Sequence, residues 1–174
     1  AKCMTGCPVG INIPGFLDLV AQGKFLEAAA VVRADNDLPA VTGRVCPQET
    51  QCEAVCVRGV KGEPVAIGWL ERFVADYERE HRQGRPSAAA ARTGKKVACV
   101  GAGPSGITCA GQLAKMGHDV TVFEAFHKPG GVLVYGIPEF RLPNLIVDDE
   151  IETLKALGVK VETNTIVGRT LTID

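Results

Sequence analysis

No two cysteines in this chain stand in the Cys-x2-Cys spacing on which structural zinc sites are usually built. Charge of one sign is missing too: 19 Lys and Arg face 20 Asp and Glu, for a net charge of −1. That balance leaves no basic footprint for nucleic acid and no tail of like charges. No apolar stretch escapes interruption by charge, Gly or Pro for long enough to cross a bilayer. The opening Ala-Lys-Cys has no apolar signal region, and there is no initiating Met, so a processed or excerpted chain is expected. Internal repeats are absent. A reducing, cytoplasmic setting is expected, where disulfides are rare and grouped cysteines bind metal or do redox work. The seven cysteines, an odd number, also argue against a simple disulfide framework.

What the chain does have begins with two groups of cysteines, Cys3-x3-Cys7-Pro8 and Cys46-Pro47-x4-Cys52-x3-Cys56. The first matches the end of the bacterial ferredoxin run, in which Cys-x3-Cys-Pro places its two thiolates on different clusters. Soft sulfur stabilises iron in both oxidation states, and that is why thiolates serve here. A structural zinc site, disulfides and unrelated buried thiols stay open as alternatives. The last is the reading for Cys99 and Cys109, which fall inside a predicted strand and the helix after it, as packing residues.

Apolar spacing predicts short helices over 13–22 and 24–34, divided at Gly23. Residues 37–51, with Pro39, Gly43 and Pro47, read as loop. A longer helix is predicted from about Val65 to His81, with Ile67, Leu70, Phe73, Val74 and Tyr77 on one face. The stretch 84–94 has linker composition and separates a domain over 1–83 from one over 95–174. In the second, strands at 95–100, 120–124 and 159–162 alternate with helices at 104–116 and 145–157, and 126–143 reads as a loop. Such alternation predicts a parallel α/β sheet.

The first of those strands runs into Gly101-Ala102-Gly103-Pro104-Ser105-Gly106, which opens a helix. That is the context a dinucleotide fingerprint requires. Gly101 allows the tight turn, Gly103 lets the backbone approach pyrophosphate, and Gly106 lets helix pack closely on strand. The helix N-terminus offers N–H groups and partial positive charge to the phosphates. Glu124 ends the second strand, eighteen residues beyond Gly106, where a carboxylate can take ribose hydroxyls and would repel a 2′-phosphate. An iron–sulfur module joined to a dinucleotide module points to redox chemistry.

Five stretches carry a resemblance that covers nearly the whole chain in order. They are Cys-Pro-Val-Gly-Ile-Asn-Ile-Pro at 7–14, Gly-Arg-Val-Cys-Pro-Gln-Glu at 43–49 and Gly-Glu-Pro-Val-Ala-Ile-Gly at 62–68. Val-Gly-Ala-Gly-Pro-Ser-Gly at 100–106 and Gly-Gly-Val-Leu-Val-Tyr-Gly-Ile-Pro-Glu-Phe-Arg-Leu-Pro at 130–143 complete the set. The chain resembles the small (beta) subunit family of glutamate synthase. It is similar as well to the large subunit of the electron-bifurcating, NADH-dependent ferredoxin:NADP transhydrogenase and to the N-terminal part of dihydropyrimidine dehydrogenase.

The resemblance implies a small all-α iron–sulfur domain followed by an α/β Rossmann-like FAD domain, incomplete at its C-terminus. It implies that Cys7, Cys46, Cys52 and Glu71 hold one [4Fe-4S] cluster, and that Cys3 and Cys56 belong to a second. The second cluster's other two ligands would come from a Cys-x2-Cys pair upstream of Cys3, so trimming at the N-terminus is expected and one or two clusters are possible. Gly101 to Gly106 would take the FAD pyrophosphate and Glu124 its ribose. Gly131, Val132 and Val167 would approach the cofactor by backbone, and Arg141 would pair with its phosphates. Asn144 stands where many relatives have Lys.

A second glycine fingerprint does not occur before Asp174, so NADPH is expected to bind in a part of the protein beyond it. The implied function is that of an electron-transfer segment of an NAD(P)H-dependent FAD/iron–sulfur oxidoreductase. Electrons would run from NADPH through FAD and the clusters to a partner redox subunit, in a hetero-oligomer without nucleic acid or a membrane span. That partner would resemble the glutamate synthase large subunit or the transhydrogenase small subunit. The alternatives are a bifurcating transhydrogenase subunit and a non-catalytic, cluster-bearing relay or docking module. No side chain is assigned as acid or base.

Overall fold

The computed structural model describes residues 1–85 and 90–173, which form two compact units, Ala1–Gln83 and Gly84–Asp174. In the first, α1 (Lys2–Gly6) leads to α2 (Ile13–Ala21), α3 (Phe25–Asp35), α4 (Pro39–Val45) and α5 (Ile67–His81). Asn12 caps α2 by accepting from the Gly15 N–H at 3.2 Å, and Pro14 sits in the first turn where its missing donor costs nothing. Ile11, Ile13 and Phe16 bury against Ala28, Ala29 and Val32 of α3 and against Ile67 and Val74 of α5. Short α1 was not expected from the sequence; five residues carry too little periodicity to announce a helix.

The stretch 37–51, read as loop from its Pro and Gly content, contains α4 and a 3-10 turn at Gln48–Thr50. Pro39 starts α4 at a position where proline is at home. Gly43 does not break it, because it is a contact residue: a Cβ there would lie 2.7 Å from the backbone N of Arg72 on α5. A small residue at this point lets the two helices come close enough to bury Glu71. On α5 the buried positions are Ile67, Gly68, Glu71, Val74 and Ala75. Phe73, expected on the same face, is exposed instead and packs edge-on against Phe25, ring centroids 5.0 Å apart.

The second unit has a parallel sheet in the order β1 (Lys96–Val100), β2 (Asp119–Phe123), β3 (Lys160–Glu162). Val97 pairs with Val120, and Val122 with Val161. Between the strands run α6 (Pro104–Lys115), α7 (Val132–Tyr135) and α8 (Asn144–Ala156). Val120 and Val122 of the central strand are fully buried, as are Val147 and Ile146 of α8. The parallel α/β arrangement agrees with the expectation from strand–helix alternation. Helix α7 lies within 126–143, read as loop; a single turn of four residues hidden among glycines and prolines has no readable period.

Of the expected linker 84–94, residues 86–89 lie outside the described residues. Thr93 belongs to the second unit, where its N–H donates to the Gly117 carbonyl at 2.9 Å. Cys99 is buried in β1 as expected, whereas Cys109 is exposed on α6 and is not a packing residue. No helix among the described residues is long and apolar enough to cross a membrane.

Candidate cluster and dinucleotide sites

Cys7, Cys46, Cys52 and Glu71, far apart in sequence, line one cavity of about 130 Å3. The chain turn after α1 brings Cys7, the end of α4 brings Cys46, the turns after Gln48–Thr50 bring Cys52, and α5 brings Glu71. Ile11, Ile13, Phe16 and Ile67 make the apolar floor, and the polar side chains of Asn36, Thr42, Gln48 and Gln51 complete the wall. No Lys, Arg or His lines it.

Four acids thus converge where no protein cation answers them, and the electrostatics register this. Burial, then the charges of Glu71, Cys7 and Glu49, push the Cys46 thiol up. Burial, then Glu53, Cys7 and Cys46, push Cys52 up to about 12. Burial also raises Glu71, while hydrogen bonds from Thr42 and Asn36 pull it back. Positive charge inside the cavity would reverse these shifts, since a bound metal favours thiolate and carboxylate. Among the described residues no three His, Cys, Asp or Glu come close enough to hold a single metal ion. Soft thiolates are the donors that suit an iron–sulfur cluster. All seven cysteines are free.

Cys3 and Cys56 are not brought into this cavity. Cys3 is half-buried against the core that contains Cys52. Cys56 is buried beside a separate open cavity of about 570 Å3, lined also by Lys2, Glu53, Val57 and Pro64. Its thiol is pulled below its ordinary value, first by a backbone hydrogen bond at Val65 and further by those at Arg58 and Gly59 and by the Arg58 charge; burial opposes them. A sulfur met by several backbone donors is in the environment that stabilises thiolate.

In the second unit, β1 is followed at once by Gly101, whose φ of +93° turns the chain sharply toward α6. Gly106 packs so tightly that a Cβ there would run into the Gly101 carbonyl oxygen. Gly103 is the N-cap of α6 and offers no side chain to its first-turn N–H groups, and Pro104 follows in the first turn. The N–H groups of Ser105 and Gly106, ahead of the Ile107 N–H that already donates to the Gly103 carbonyl, are those a helix start offers to an anion. Gly131, at φ +54°, comes so near that a Cβ would sit 2.8 Å from Gly103 Cα. Val132 begins α7 directly after it and is 56% exposed.

Glu124 is 5% exposed, and both its oxygens are occupied by backbone. Oε2 accepts from the Ala102 N–H at 2.7 Å and Oε1 from the Phe126 N–H at 2.9 Å. The carboxylate expected to face ribose is therefore also the anchor of the glycine loop. Arg141 is exposed. Val167 is half-buried in an isolated bridge with Leu171. Asn144 holds the Glu139 carboxylate through both its backbone and its side-chain nitrogen.

The wall residues Asn36, Thr42, Gln48 and Gln51 were not anticipated, since all four lie at or within the stretch around α4 that reads as loop. Glu71 does leave a trace in the sequence: it sits four residues after Ile67 and three before Val74, on the apolar stripe of α5.

Residues 1–83 match the family of dihydropyrimidine dehydrogenase domain II, 4Fe-4S cluster. Residues 99–158 match that of the NAD(P)-binding Rossmann-like domain. An NADP(+)-dependent formate dehydrogenase subunit beta from Moorella thermoacetica is 41% identical over 100% of this chain and 27% of its own length. The glutamate synthase [NADPH] small chain of Bacillus subtilis is 41% identical over 98% of this chain and 34% of its own. The NAD-dependent dihydropyrimidine dehydrogenase subunit PreT of Escherichia coli K12 is 39% identical over 100% of this chain and 42% of its own. The chain thus spans well under half the length of the curated relatives it matches.

Proposed function

We propose that this chain, which belongs to the glutamate synthase small-chain family, is the cluster- and flavin-binding part of an NAD(P)H-dependent oxidoreductase. The observation that carries the reading is the single cavity collecting Cys7, Cys46, Cys52 and Glu71 from four separate segments. These four would hold a [4Fe-4S] cluster, and Cys3 and Cys56 would contribute to a second. Gly101 to Gly106, Glu124, Gly131, Val132, Arg141 and Val167 would hold FAD, with NADPH bound by sequence outside these 174 residues. When bound, the clusters supply one-electron transfer and the flavin supplies exchange between hydride and single electrons.

The chain's own residues position these groups and set their surroundings. Apolar Ile11, Ile13, Phe16 and Ile67 keep water from the cavity floor, which lowers the local dielectric and strengthens every charge interaction there. Three thiolates and one carboxylate give a harder donor at the Glu71 corner than sulfur would. In the second unit, Glu124 and Gly130 fix Ala102 at both ends, its N–H and its carbonyl (the latter accepting from the Gly130 N–H at 2.8 Å). The loop is thereby pre-shaped for close approach to phosphate. The electrons would leave to a partner redox subunit, of the glutamate synthase large-subunit or transhydrogenase small-subunit kind, in a hetero-oligomer in the reducing cytoplasm.

The full-length protein, purified without oxygen, tests this reading. Extraction should release FAD, and NADPH should bleach the flavin band and bring up a cluster signal in electron paramagnetic resonance. Extracted cofactor other than flavin, or no cluster signal after full chemical reduction, would overturn it.

A further inference from the structure

The Glu71 carboxylate is held unequally at its two oxygens. Oε1 accepts from Thr42 Oγ1 at 2.6 Å and from Asn36 Nδ2 at 3.0 Å. Both donors are fixed in turn. Asn36 Oδ1 accepts from the Leu38 N–H at 3.0 Å, and Asn36 Nδ2 also reaches Thr42 Oγ1 at 2.7 Å. Thr42 stands one turn after Leu38 on α4, whose carbonyl lies 3.0 Å from its hydroxyl. The hydroxyl has one proton, and the shorter contact to a carboxylate is the stronger one. Asn36 and Glu71 are both nearly inaccessible, at 6% and 5%.

The hydrogen bonds from Thr42 and Asn36 both fall on Oε1, Oε2 has no donor among the described residues, and Glu71 lines the same cavity as Cys7, Cys46 and Cys52. With Oε1 taken up by two donors, Oε2 is the oxygen left for an occupant of the cavity.

We propose that Thr42 and Asn36 are positioning residues that commit Glu71 to binding iron through Oε2 alone and raise the reduction potential of the cluster it ligates. The proposal rests on the reading of Cys7, Cys46, Cys52 and Glu71 as cluster ligands. Its physical basis is charge sharing. A carboxylate that accepts hydrogen bonds on its free oxygen has less negative charge to give the metal at the other. The oxidised cluster gains most from anionic donation, so weaker donation favours the reduced form. The same two bonds hold the carboxylate plane and prevent it from turning both oxygens toward one iron.

The test compares cluster-loaded Thr42→Val, Thr42→Ser and Glu71→Ala with the unaltered protein. It reads iron and sulfide content and the potential from a titration followed by electron paramagnetic resonance. Val keeps the shape of Thr and removes the hydroxyl. Thr42→Val should retain iron and shift the potential to a more negative value, and Thr42→Ser should restore it. A fully loaded Thr42→Val with unchanged potential overturns the proposal while leaving the ligand reading intact. An unchanged iron content and potential in Glu71→Ala overturns the ligand reading, and the proposal with it. Infrared difference spectra with 13C-labelled glutamate supply a second arm. Hydrogen bonds on the free oxygen narrow the separation of the carboxylate stretches, so the separation should widen in Thr42→Val; one that does not change would overturn the proposal.

Discussion

The Glu124 carboxylate and the Ala102 N–H meet at 2.7 Å, tying the end of β2 to the middle of the glycine loop. The carboxylate proposed to take the cofactor's ribose therefore has a structural task before any cofactor arrives. Glu124→Ala should cost about 2 kcal/mol, the scale of a buried hydrogen bond to a charged group. Glu124→Gln, which keeps an acceptor oxygen, should cost less. Urea unfolding of the cofactor-free protein checks this; equal stability of Glu124→Ala and the unaltered protein would mean that the loop holds itself.

Gly43 is expected to be intolerant of even one methyl group. Its Cβ would meet Arg72 backbone at 2.7 to 2.8 Å, and backbone on a packed helix cannot step aside cheaply. Gly43→Ala should destabilise the first unit by about 1–3 kcal/mol, the usual cost of overpacking. Gly62, around which nothing lies within 4 Å, provides the control: Gly62→Ala should leave the unfolding midpoint nearly in place.

These two positions also show what could be read from the residues and what could not. The long period of α5 and the strand–glycine–helix run of the second unit are local signals, strong enough to place both elements within a residue or two. Helix α4 was hidden because Pro39, Gly43 and Pro47 punctuate it. Proline at a first turn and glycine at a helix contact have the same letters as a loop, and only the neighbouring helix distinguishes them. Losing α4 meant losing Thr42, and with it the hydrogen bonds around Glu71. The spacing of the cysteines pointed to a metal-binding reading. Their division between two sites, and the choice of Glu71, came through family resemblance, because convergence of residues 7, 46, 52 and 71 is a property of tertiary packing.

Cys99 gives the second unit a pH dependence. Burial, then the neighbouring Cys109 thiol, raise it above its ordinary value of 9.0. A folded value above the unfolded one means that its contribution to stability is full below about pH 9 and is lost as pH rises through the raised value. The urea midpoint of this chain should therefore fall in the alkaline range. Cys99→Ala should flatten that fall, and an identical slope in the variant would exclude Cys99 as a source.

Iron and acid-labile sulfide per chain, measured after anaerobic purification, test the central claim most directly. The cavity predicts equal amounts of the two, about four of each for one cubane cluster. Cys7→Ala, Cys46→Ala and Cys52→Ala should each lower both by about four, one cluster's worth, while Cys99→Ala should leave them unchanged. Zinc without sulfide, or an iron content that none of the three cavity substitutions lowers, would contradict the account.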